Sequence, residues 1–253
     1  MVKTDFKLRY QNSVLGYLWT LLRPLFLFMI LYVVFVQVLK TGGDVPHFGI
    51  YLLLGIILWN YFVEVTTGSV GAIVGKGDIM RKVNFPRYVI VLASSFSALI
   101  NLSLNLLVVS LFMWLGKAEP NQNLIFLPLL IGELFIFSLA IGFFLSAAFV
   151  RFRDINYIWE VLIQAAFYAT PILYAFSFVS GKSEMLGKIM MLNPLAQIIQ
   201  DARYGLITNQ TATVGSVFGS KLAYLVPLGI VATVVLVSTV YFKKQAPSFA
   251  ENV

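Results

Sequence analysis

Between Val89 and Leu115 the chain carries no charged residue. At about 1.5 Å per residue that run makes a helix roughly 40 Å long, longer than the roughly 30 Å hydrocarbon core of a bilayer. It reads as a membrane helix that tilts or protrudes. Similar runs at Pro24–Leu39, Ile50–Val74, Leu124–Val150, Ile155–Phe178 and Leu222–Phe242 bring the expected number of spans to six. Composition agrees, since 59% of the 253 residues are hydrophobic and 11% charged, against about 25% charged in soluble domains. The expected fold class is an all-α integral membrane protein with a single membrane domain over residues 1–253.

The basic residues set an orientation. Lys3, Lys7, Arg9, Arg23, Lys76, Arg81, Lys82, Arg87, Arg151, Arg153, Lys243 and Lys244 fall on one side, and the remaining six of 18 fall on the other. The positive-inside rule then places both termini in the cytoplasm. Before the first span, Phe6, Tyr10, Val14 and Leu18 recur every four residues, which predicts an amphipathic helix over residues 1–22 lying along the interface. On the outer side, in a region spanning residues 180–220, the stretch LGKIMMLNPLAQIIQDARYGLI is broken by Asn193-Pro194 into pieces too short to span. We read them as short re-entrant helices before the last span, with an ordinary helical loop as the alternative.

Several chemistries are excluded. There is no cysteine and a single histidine, His47, so thiolate sites, His clusters and a metal centre are not expected. The charge of +7 lies in short gaps between apolar runs rather than on a soluble face, which argues against a nucleic-acid partner. Gly71–Gly77 resembles a phosphate loop, but its spacing is one residue short and Gly77 stands where a hydroxyl is needed. No cofactor is expected in this chain.

Polar residues inside the spans fall into stripes at helical spacing. Asn60, Glu64, Thr67, Gly68 and Gly71 share a face of the second span; Ser94, Ser97, Asn101 and Asn105 share one on the third. Tyr157, Glu160, Gln164 and Tyr168 share one on the fifth, leading to Pro171. Such stripes are either glue between helices or the wall of a hydrated pathway, and the spacing leaves both open. Phe28, Tyr32 and Phe35 on the first span, with Tyr51, Trp59 and Phe62 on the second, suit a carbohydrate path or ordinary packing.

In order along the chain come RYQNSVLGYLWTLLRPL, RKVNFPRYVIVLASSFSALINL, RFRDI, TPILY and NPLAQIIQDARYGL. This set resembles the membrane subunits of ABC-2-type polysaccharide exporters, which move lipid-linked O-antigen, capsule or teichoic acid chains. The resemblance implies a homodimer enclosing one channel and two separate ATP-binding cassette subunits that hold ATP and Mg. It also implies a lipid-linked glycan as substrate and a bacterial inner-membrane location. By the same resemblance residues 75–88 couple to the ATPase through Ile79, Met80, Arg81, Lys82, Phe85, Pro86 and Arg87, and Met190, Asn193 and Pro194 belong to an outer gate. The alternatives are an ABC-2 exporter of small lipids or drugs and an ion-coupled secondary transporter, with a scaffold as a further rival. Without the resemblance, the basic loop reads as a topology signal touching anionic lipid.

Overall fold

The structure, a computed structural model, describes residues 18–38, 45–77 and 86–249. Every regular element among them is helical. Helix α1 (Leu18–Tyr32) continues into wider π-helical turns over Val33–Val38. Then follow α2 (Phe48–Val70), α3 (Tyr88–Gly116) and α4 (Leu127–Arg151). Next come α5 (Ile155–Ala169), α6 (Phe176–Ser180), α7 (Glu184–Met191), α8 (Pro194–Leu206), α9 (Val214–Phe218) and α10 (Leu225–Gln245). Of the expected interface helix, residues 1–17 lie outside the described residues, while Leu18–Leu22 already belong to α1.

Among the described residues, five stretches are long and apolar enough to cross a membrane: Leu21–Val38, Phe48–Val70, Tyr88–Gly116, Gln122–Arg151 and Lys221–Gln245. The expected span Ile155–Phe178 is not one helix. Its first part, α5, has 15 residues, about 22 Å at helical rise, and it stops at Thr170. Pro171 is the cause: it offers no N–H and pushes the residue before it into an extended conformation, and Thr170 is extended (φ −101°, ψ 138°). The chain resumes as α6 only at Phe176.

Helix α2 is the hub. In its apolar window 78% of residues are buried, against 33% or fewer in the other four stretches. It packs on α1, α3, α4, α5 and α8, and α4 packs in turn on α10. The main core runs along α2 from Phe48 to Val65 and takes in Leu102 and Val109 of α3, Leu134 and Phe137 of α4, and Ile198 and Ala202 of α8. A second cluster of Ile73, Val91, Ala147, Val150, Phe242 and Phe249 closes the opposite end, where α2 and α4 finish and α3 begins.

Candidate functional site

The break after α5 exposes carbonyls that a continuous helix would have satisfied. Arg203 of α8, fully buried, answers them. Its Nη1 donates to Pro171 O at 2.5 Å, its Nη2 to Ile172 O at 2.8 Å and its Nε to Tyr51 O at 3.0 Å. The guanidinium also lies 3.5 Å from the centre of the Tyr51 ring, a cation–π contact. Gln200 joins through Oε1, accepting from Tyr51 Oη at 3.1 Å. The cation has room because Gly55 has no side chain; a methyl there would overlap Arg203 Nη2. One residue thus ties the end of the broken helix, the start of α2 and α8 together. In the sequence Arg203 is one of the expected outer-side charges; the cue that more is required of it is the polar spacing Gln197, Gln200, Asp201, Arg203 in a short apolar helix.

The polar stripes separate into closed and open ones. On α3, Ser97 and Asn101 are buried; Ser97 donates to Ala93 O in its own helix, and Asn101 Nδ2 donates to Glu64 Oε1 of α2 at 2.8 Å. Asn105 in turn donates to Asn101 O. This stripe joins α3 to α2. Trp59 is buried between Phe62 and Phe167. Phe28 and Tyr32 lean on each other, Phe28 meets Phe112 of α3, and Phe35 packs against the core. Within the chain these aromatic and α3 residues pack helices together.

The α5 stripe behaves differently. Trp159, Ile163, Ala166 and Phe167 turn toward the core, while Tyr157, Glu160, Gln164 and Tyr168 are all exposed. Asn156 Nδ2 donates to Glu160 Oε1 at 2.7 Å. Asn60 and Glu64 of α2 are half-buried, and Thr67, Gly68 and Gly71 beyond them are exposed. Glu160 and Gln164 are thereby left uncovered, beside the equally exposed Ile158, Val161 and Leu162.

Between α7 and α8, Asn193 caps α8 by accepting from Leu195 N at 3.0 Å, and Pro194 occupies the first helical turn. Asparagine before proline is a helix start, because the side chain satisfies a free N–H and the proline has none to satisfy. Asn193 also reaches Thr170 Oγ1 at 3.4 Å, and half-buried Met190 packs with Phe176 and Val214. Further along α8, Gln197 Nε2 donates to Asp201 at 2.9 Å and approaches Glu133 of α4 at 3.5 Å, while Tyr224 Oη donates to Asp201 at 3.0 Å. The expected gate residues therefore sit on helices bonded both to the break and to α4.

Of the expected coupling residues, Ile79, Met80, Arg81, Lys82 and Phe85 lie outside the described residues. Pro86 and Arg87 open α3 and line a cavity of about 790 Å³ with Tyr88, Phe143, Thr239, Phe242, Lys243 and Ala246. No group of histidine, cysteine or carboxylate side chains that could hold a metal occurs among the described residues.

Comparison with known proteins agrees with this geometry. Residues 1–207 match the family described as ABC-2 type transporter. The chain is 31% identical over 98% of its length to an O-antigen export system permease protein of Klebsiella pneumoniae, covering 91% of that protein. It is 31% identical over 79% of its length to a permease of the same description from Myxococcus xanthus, covering 75% of it. A polysialic acid transport protein of Escherichia coli is 23% identical over 79% of this chain and 76% of its own. This chain, a multi-pass membrane protein, belongs to the ABC-2 type transporter membrane family.

Proposed function

We propose that the chain is the permease subunit of an exporter of lipid-linked polysaccharide across the bacterial inner membrane, driven by a separate ATPase. The observation that carries this reading is the exposed polar face of α5. A carboxylate facing lipid is costly, the more so with depth, so Glu160 with Gln164 and Tyr168 is better placed against water. A hydroxyl-rich glycan can take hydrogen bonds from the amide and phenol and donate to the carboxylate, while its C–H faces lie on Tyr157 and Tyr168. Two copies presenting this face to each other would enclose one hydrated channel, with Asn60 and the exposed Thr67–Gly71 side of α2 extending it.

Power would come from two ATP-binding cassette subunits, which bind ATP and Mg, docked on residues 75–88. Both termini then lie in the cytoplasm. The break at Thr170–Ala175 and helices α7 and α8 form the outer end of the path as re-entrant gate elements, with α5 and α6 making a broken sixth crossing. Export of the glycan should be measured in cells or proteoliposomes with the ATPase partner present, comparing wild type with Glu160→Leu/Gln164→Leu. We expect a loss of export of tenfold or more on the order of 1.4 kcal/mol or greater, with assembly to the ATPase intact. Unchanged export by the double variant would remove α5 from the path.

A further inference from the structure

We propose that the cavity at the start of α3 is a binding site for an anionic phospholipid of the cytoplasmic leaflet, separate from the glycan path. It rests on the orientation proposed above and on no other part of that reading. The cavity has about 790 Å³, is walled by α3, α4 and α10, and carries Arg87 from one helix and Lys243 from another. Arg87 is half-buried and Lys243 exposed, and neither forms an ion pair among the described residues. No acidic side chain is among the described lining residues. Tyr88, Phe143 and Phe242 supply its aromatic walls, and Pro86, Thr239 and Ala246 the rest.

Charge decides the head of the ligand. Basic pockets between membrane helices on the cytoplasmic side suit phosphodiester headgroups, and two cations on separate helices can straddle one phosphate. Shape decides its tail. Phe135, Leu139 and Phe143 recur every four residues along α4, all partly buried, so they form one lane leading from the cavity toward the membrane centre. Phe96 of α3, 47% exposed, lies against Phe135 with ring centres 5.2 Å apart. An acyl chain laid on this lane would place its phosphate between Arg87 and Lys243. A free phosphate would use the cations and leave the lane empty.

The exposed face of α5, where we place the glycan, is formed by other helices, so the two sites can be tested apart. The full chain is purified in detergent and titrated with dioctanoyl phosphatidylglycerol or dioctanoyl phosphatidylcholine, and bound lipid is read by native mass spectrometry. Phosphatidylglycerol should bind preferentially to wild type. Lys243→Gln should weaken it about fivefold, and Arg87→Gln/Lys243→Gln about thirtyfold, from about 1 kcal/mol per basic residue. Phe143→Ser should weaken phosphatidylglycerol yet leave inorganic phosphate binding unchanged. Lys243 is exposed near a helix end, so its single variant tests the site even if the double variant does not fold. Equal binding of the two lipids, or wild-type phosphatidylglycerol affinity in Lys243→Gln, overturns the proposal. Loss of ATPase co-purification in Lys243→Gln with lipid binding unchanged would assign the cavity to the protein partner instead.

Discussion

A guanidinium in a dry interior is costly unless its donors find acceptors. Arg203 makes four hydrogen bonds, to main-chain oxygens of Tyr51, Pro171 and Ile172 and to Gln200. Arg203→Ala strands these buried acceptors, each costing about 1–3 kcal/mol when left unpaired, and should lower the melting temperature of the detergent-purified chain. Gly55→Ala should cost about 1–3 kcal/mol by overpacking against the guanidinium. The two changes touch the same space, so the double variant should be less destabilised than the sum of the singles; an additive result would place the glycine's role elsewhere. At the α2–α3 contact, Asn101→Ala removes the donor to Glu64 and should cost about 1–3 kcal/mol, read as a lower melting temperature.

At the scale of elements, α5 and its break matter most. Because the chain has no cysteine, single cysteines can be placed along α5 without background. Those at Glu160, Gln164 and Tyr168 should react with a water-soluble thiol reagent, and those at Trp159, Ile163 and Ala166 should be protected; uniform reactivity would contradict a two-sided helix. How much of this was legible follows from what each signal measures. Hydropathy marks apolar length, so α2, α3, α4 and α10 stood out as spans in the sequence. It cannot tell one long helix from a short one followed by a proline break, so Ile155–Phe178 read as a single span. Spacing grouped the polar residues into stripes correctly as helix faces, but only packing shows that Ser97 and Asn101 face α2 while Glu160 and Gln164 face out. The polar spacing on α8 hints at Arg203, but not at its role as a staple, because three of its partners are backbone carbonyls, which leave no mark in a sequence.

For the whole molecule the open question of direction has a simple measurement. Cysteines at Lys182 and Lys221 should react with an impermeant reagent added outside intact cells or spheroplasts, and one at Lys244 only after permeabilisation; the reverse pattern would invert the chain. In the assembled exporter, Arg81→Glu/Lys82→Glu should leave ATP hydrolysis running with export reduced at least tenfold; normal export per ATP would argue against coupling through residues 75–88. The burial of α2 also bears on how the protein is made. It is the least apolar of the five membrane-crossing stretches, yet the most enclosed, so other helices rather than lipid must cover it. Of those helices α1 precedes it, while α3, α4, α5 and α8 are synthesised after it. A nascent chain ending soon after Val70 therefore holds a helix with its polar residues still turned to lipid, and that half-made intermediate should depend most on insertion machinery to stay in the membrane.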